Sequence, residues 1–272
     1  MSRTTVQPNS AIPVKVKRRK KLSPERIVSV CTPLVMLILW WMISLAVGEK
    51  YLTSPGKIVT TIGVLFTDGY VGTNLTTHIV ASLFRTIGGY VLAILLAIPI
   101  GLWMGMNKYV SAILSPVFAV IRPIPAIAFL PLFIMWFGIG EVARVMLIFM
   151  SAFLYIVLNT YSGVKTIPNG LIQAAKNLGA NRIQLFSKVI FPATLPSIMT
   201  GLKAGLAVSW AIVVAAELMA AQEGLGYMIM DAATFFRMPV VYVGIVLIGL
   251  IGLILENIIS IIEKKSCHWS GK

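Results

Sequence analysis

Acidic residues are scarce in this chain of 272 residues: nine Asp and Glu stand against 23 Lys and Arg, and charged residues of both signs make up only 12%. A soluble domain carries about 25% charge to cover its surface, so the deficit excludes an ordinary water-soluble globule. Histidine occurs twice, as His78 and His268, far apart and without a second ligand at metal spacing; no metal site is expected. The two cysteines, Cys31 and Cys267, lie near opposite ends and form neither a redox pair nor a disulfide framework. A phosphate-cradling Walker loop is missing too, because Gly56-Lys57 lacks the earlier glycine and the following Ser or Thr. Gly224-x-Gly226 fails the dinucleotide fingerprint, since Ile229 occupies the third glycine position. No catalytic residue is assigned.

What is present is apolar: hydrophobic residues make up 58% of the chain. Six stretches, 27–47, 83–106, 113–136, 141–163, 194–219 and 239–262, reach the roughly 18–20 residues that cross a ~30 Å hydrocarbon core. The pattern predicts an all-α membrane protein with six transmembrane helices in residues 27–265. A basic tail, 1–26, precedes the bundle and a short segment, 266–272, follows it. The first run is too long for a signal-peptide core and lacks an A-x-A-like cleavage site, so it reads as an uncleaved helix. Between the first two runs, Ile58, Ile62, Leu65 and Phe66 follow helical spacing. They predict a short helix along the outer membrane face, started by Ser54-Pro55.

The formal charge of +14 raises a nucleic-acid reading, which the placement of that charge removes. Eight basic residues precede residue 27, among them Lys15, Lys17, Arg18, Arg19, Lys20 and Lys21, and no nucleic-acid module accompanies them. A basic tail ahead of an apolar helix fixes topology and meets anionic lipid headgroups. With the N-terminus inside, sixteen Lys and Arg fall in cytoplasmic segments and three (Lys50, Lys57, Arg237) in outer loops. Both termini are therefore expected in the cytoplasm.

Small residues four apart, Gly101 with Gly105 and Gly201 with Gly205, predict close helix packing within one subunit. The third run holds Pro116, Pro123, Pro125 and Pro131, which either kink it or shape a wet pathway. Charges inside spans are costly and mark function; Glu217, Glu256, Arg122 and Arg144 lie in or beside spans. An arginine there can meet an anionic substrate with a planar fork of donors, the plainer reading being an internal Arg–Glu pair or snorkelling. Trp210 reads as a packing residue or a binding platform. Arg122, Pro123, Pro125, Trp210 and Glu217 are the candidate pathway or substrate residues.

The segment 164–193 stands apart. Pro168-Asn169-Gly170 predicts a turn, 171–178 a short helix, Gly179 its stop, and 181–190 a second helix ending before Pro192. Such an element cannot bury itself in lipid, and the small, flat surface at Ala174 and Ala175 suits insertion into a partner's groove. Gln173-Ala174-Ala175, three residues, Gly179, nine residues, then Val189-Ile190-Phe191-Pro192 resembles the coupling loop of importer-type ABC permeases. That family writes it EAA, three residues, G, nine residues, I-x-L-P; Gln173 keeps the polarity of the usual Glu and loses its charge. The run from Arg122-Pro123 through Pro125 and Pro131 to Trp136 and Glu141 resembles the nitrate, sulfonate and taurine branch. So do Ser82 to Arg85, Asn159-Thr160, and Ala215 to Leu218 followed by Gly224 and Gly226. The Glu217 neighbourhood, Leu255-Glu256 and His268-Trp269-x-Gly271 look most like taurine permeases. The resemblance covers roughly residues 54–270.

This resemblance implies a non-enzymatic permease subunit of an importer in the bacterial plasma (inner) membrane. Gln173, Ala174, Ala175, Leu178, Gly179 and Ala180 would contact an ATPase. It implies no cofactor on this chain, ATP and Mg on two partner ATPase subunits, a second permease copy, and a periplasmic or lipid-anchored solute-binding protein. A small sulfonate such as taurine is the implied cargo, with nitrate, bicarbonate or another small organic anion as the alternative. An ion-coupled secondary transporter, with Glu217 and Glu256 as its acids, would leave the loop without a task. A membrane-embedded enzyme would need a nucleophile and base that the two lone histidines do not supply. For a channel, no ring-forming filter motif is evident.

Overall fold

Three helices packed through glycines make the spine of the bundle. In the computed structural model, which describes residues 24–48 and 51–269, α3 (Leu75–Met106) runs along α6 (Glu141–Lys165), and α6 along α9 (Phe191–Ala220). A Cβ at Gly101 would lie 2.7 Å from the Thr160 Cβ, and one at Gly201 2.8 Å from the Asn159 Cβ. The expected small-residue pairs are therefore where α3 and α9 meet α6, inside one subunit. Tyr90, Ala93, Ala97, Ala152, Ile156, Val157 and Leu206 fill the seam. The basic tail up to residue 23, Glu49, Lys50 and residues 270–272, with Gly271 of the closing motif, lie outside the described residues.

All named elements are helical. α1 (Pro24–Val47) matches the first apolar run, and α2 (Pro55–Thr67) matches the short helix predicted after it. The Ser54 hydroxyl accepts from the Lys57 N–H at 3.4 Å, and Ile58 and Leu65 are buried in a cluster shared with α11 (Met238–Ser266). α3 begins eight residues before the predicted span. The extra turns carry His78 and Ser82, both buried against the segment leading into α10 (Leu225–Thr234).

Among the described residues four helices are long and apolar enough to cross a membrane, five if one bent pair counts as a span. That pair takes the place of the third span expected over 113–136, which its prolines were expected to disturb. α4 (Lys108–Ile121) stops, a 3-10 turn spans Ala126–Phe129, and α5 (Leu130–Phe137) leaves at 92°. Pro123 and Pro125 sit in the break: neither can donate a backbone hydrogen bond, and while Arg122 is still helical at φ −52° and ψ −43°, Pro125 is extended at φ −58° and ψ 127°. The second loop helix also departs from expectation. α8 (Arg182–Leu185) does not end before Pro192 but passes through a π-turn, Phe186–Ile190, straight into α9. The wide turn carries the ladder past the missing Pro192 donor by bonding the Phe191 N–H to the Phe186 carbonyl.

Candidate functional site

Four charged side chains, Arg85, Glu141, Arg144 and Glu217, gather at the end of the bundle that carries α10. Arg85, in the third turn of α3, donates from Nη1 to Glu217 at 2.6 Å and from Nε and Nη2 to Glu141 at 2.5 and 2.8 Å. Arg144 adds a 2.6 Å bond to Glu141, the first residue of α6, where a carboxylate also suits the positive helix end. Glu217, near the end of α9, is wholly buried and takes further donors from the Ser82 hydroxyl and the Gly226 N–H, each at 2.9 Å. The Leu225 N–H meets the Ser82 Oγ at 2.9 Å and the Gly224 N–H meets the His78 Nδ1 at 3.1 Å. The orphan donors at the start of α10 are thus capped by side chains of α3 and α9 rather than by α10 itself. Gly224 adopts φ +125° directly above the carboxylate, where a Cβ would fall 2.3 Å from the Glu217 Cδ. On the far side of α10, Tyr70 donates to Asp231 at 2.6 Å; burial first, and that carboxylate second, hold its hydroxyl well above the usual phenol range.

Removing the Glu217 carboxylate leaves Arg85 its bonds to Glu141 but strips the Gly226 N–H of its acceptor, and a buried group left unsatisfied costs about 1–3 kcal/mol. Glu217→Ala is expected to lose that much stability and Glu217→Gln much less, read as the detergent-solubilised melting temperature. Wild-type melting for the alanine variant would show that the network holds nothing together.

A second region lies in the middle of the bundle, at the α4–α5 break. A cavity of ≈ 570 Å³ opens between the break, α6 and α9. Arg122, Pro123 and Pro125 form its broken wall. Ser151, Tyr155, Asn159 and Ser162 come from α6, at spacings of four, four and three that place them on one helix face. Arg122 caps α4 through its backbone N–H, 2.9 Å from the Phe118 carbonyl, and its side chain is exposed. Arg85 and Arg144 are both held by carboxylates; among the described residues Arg122 makes no ion pair. No acidic residue lines the cavity. One uncompensated guanidinium among hydroxyl and amide groups is the donor set that receives a small oxyanion, in two parallel hydrogen bonds where the geometry allows.

The third region is the 164–193 segment. α7 (Asn169–Asn177) ends in a Schellman turn: the Gly179 N–H bonds the Lys176 carbonyl at 2.9 Å and the Ala180 N–H bonds the Ala175 carbonyl at 3.1 Å. Gly179 sits at φ +80°, a region where other residues are strained. The next helix starts from a capping box, Asn181 with Gln184. Ile172, Leu185 and Phe186 pack against Val164, Ile167 and Ile190 and fix the knuckle to the bundle. Its tip is apolar and bare, with Leu178 89% and Ile183 77% exposed. Gln173, Ala174 and Gly179 are exposed, while Ala175 and Ala180 are half-buried.

Residues 97–266 match the family described as binding-protein-dependent transport system inner membrane component. The taurine transport system permease protein TauC of Escherichia coli (strain K12) is 36% identical over 261 residues, 95% of each chain. A putative aliphatic sulfonates transport permease protein, SsuC of Bacillus subtilis (strain 168), is 34% identical over 87% of this chain and 85% of its own. The chain belongs to this permease family. It is a membrane-embedded ABC importer permease subunit of the taurine, sulfonate and nitrate type, and a transport component rather than an enzyme. Its fold is shared with a chain of the MetNI methionine ABC transporter in an inward-facing conformation, at a TM-score of 0.61 and 21% identity, covering 73% of this chain and 96% of that one.

Of the pathway candidates of this permease, Arg122, Pro123 and Pro125 come together at the cavity. Trp210 and Glu217 do not. The Trp210 indole donates to the Ile248 carbonyl at 2.9 Å and packs between α9 and α11, and Glu217 belongs to the buried network. Glu217 forms an internal Arg–Glu pair, as the plainer reading had it, with Arg85 as the partner. Glu256, the other acid within a span, is exposed on α11. The polar face of α6 escaped the sequence reading although its spacing was visible; a row of Ser, Tyr, Asn and Ser through an apolar helix is the signal. No group of three His, Cys, Asp or Glu able to hold a metal ion occurs among the described residues.

Proposed function

We propose that two copies of this permease form the membrane pathway of an ATP-driven importer for a small sulfonate, taurine first. Each copy spans the membrane six times with both termini in the cytoplasm, and takes its work from a separate ATPase through the Gln173–Ala180 knuckle. A solute-binding protein delivers the cargo. The observation that carries the reading is Arg122: among the described residues it makes no ion pair, unlike Arg85 and Arg144, and it lines a cavity with no acid in its walls. The names of the sulfonate relatives agree with an anionic or zwitterionic cargo. Tyr155, Asn159 and Ser162 supply a polar face partway along an apolar helix, which lipid does not satisfy. A second copy laid against that face encloses it as a wet channel. An ion-coupled mechanism is disfavoured, because Glu217 is already occupied by Arg85 and cannot serve as a free cation ligand.

The test is uptake into proteoliposomes holding the permease, its ATPase and its binding protein. ATP-dependent accumulation of labelled taurine is expected, with competition by short alkanesulfonates. Uptake that nitrate abolishes and sulfonates leave untouched would overturn the cargo.

A further inference from the structure

The loop knuckle carries charge of one sign. From residue 142 to residue 216 the chain contains no Asp or Glu, while Lys176, Arg182 and Lys188 stand exposed on or beside the knuckle. Among the described residues none of the three makes an ion pair, whereas Arg144 on α6 pairs with Glu141 and Lys203 on α9 with Glu263. Topology explains only half of this. The positive-inside preference accounts for cations in a cytoplasmic loop but is nearly indifferent to acids, so it does not remove every carboxylate. Solubility does not explain it either, since exposed surfaces ordinarily mix both signs.

Nor does local helix energetics. Lys176 lies in the last turn of α7, where a cation is welcome. Arg182, by contrast, is the first residue of its helix, where the dipole repels a cation, and the cap beside it is built from the neutral pair Asn181 and Gln184. Lys176 and Arg182 flank the bare apolar tip, Leu178 and Ile183. The position at which the family usually carries an acid is the neutral Gln173, so nothing on the knuckle offsets the cations.

We infer that the surface receiving this knuckle is an apolar groove rimmed by carboxylates on the ATPase subunit. The inference rests on the importer reading above and adds the chemistry of the partner's face. The apolar tip supplies the buried centre of the contact, and the two flanking cations supply register and speed of association, as charge rims do at other interfaces.

The experiment measures binding of the ATPase subunit to the permease in nanodiscs of neutral phosphatidylcholine, at rising salt. The wild type is expected to lose affinity about tenfold between about 50 and about 500 mM salt. The double reversal Lys176→Glu with Arg182→Glu should bind at least about tenfold more weakly at low salt and lose the salt dependence. Leu178→Ala should weaken binding equally at every salt concentration. Reversal of Lys264 and Lys265 at the end of α11, equal in charge and distant from the tip, should change nothing. Lysines placed in the ATPase rim should restore binding to the double reversal, which a misfolded variant could not show. Unchanged binding by the double reversal, or a salt dependence seen only when acidic lipid is added to the disc, would overturn the inference. Failure of the wild type to bind the ATPase at any salt would instead sink the importer reading on which it stands.

Discussion

Glutamate at Gly179 or at Ala175 is expected to lower uptake about 5- to 150-fold while the ATPase goes on hydrolysing ATP. Gly179 is exposed, and a side chain there meets no atom within 4 Å, so the substitution creates no clash in the bundle. Its cost is local: the residue sits at φ +80°, which an L side chain occupies at about 1–2 kcal/mol. The Schellman turn that aims Leu178 outward is thereby loosened. Ala175 contributes the carbonyl that closes that turn, and a longer side chain there stands off whatever rests on the helix. Membrane insertion should be normal in both variants, because the packing of α3, α6 and α9 does not involve either position. Coupling between distant sites is typically worth 1–3 kcal/mol, or about 5- to 150-fold, and uptake should fall by that factor. The measurement compares ATP hydrolysis with solute accumulation in the same proteoliposomes. Undiminished uptake would remove the coupling role from the knuckle.

Arg122→Ala should be nearly as damaging to transport and almost silent for stability. The side chain is exposed and makes no ion pair among the described residues, so its loss falls in the class of surface changes worth about ±0.5 kcal/mol. A charge-assisted hydrogen bond contributes about 1.5–3 kcal/mol, and losing it lowers uptake efficiency roughly ten- to hundredfold. Arg122→Lys should recover part of this, since it restores the charge without the planar fork. Docking of the binding protein and basal ATP hydrolysis should be unaffected. The contrast with Glu217→Ala is diagnostic: one variant melts normally and does not transport, the other melts early. An Arg122→Ala protein with wild-type uptake would take the anion pathway away from the α4–α5 break.

Local signals in this sequence were readable, and distant pairings were not. The knuckle was legible where its signals are local: Gly179 stops α7 as expected, although α7 already begins at Asn169, inside the turn expected at 168–170. The apolar runs located the long helices for the same reason. The prolines around Pro123 announced a disturbance, but only the structure shows that it divides the span and turns it through 92°. The π-turn before Pro192 had no sequence signature, since the residues that form it are ordinary helix formers.

The buried network is the clearest loss. Arg85 and Glu217 are separated by 132 positions and meet only because α3 and α9 both pack on α6. Sequence showed that an unpaired charge in an apolar helix must find a partner, without showing which one. Glu217 therefore looked like a pathway residue, when its carboxylate in fact joins α3 and α9 to the start of α10. The α6 face from Ser151 to Ser162 is a different matter. Its helical spacing was on view and would have pointed to the cavity.

The most direct test of the whole account is transport by the purified permease with and without its partners. With the ATPase, the binding protein and ATP, the vesicles should accumulate sulfonate; the permease alone under a sodium or proton gradient should accumulate none. Gradient-driven uptake by the permease alone would contradict the account at its centre.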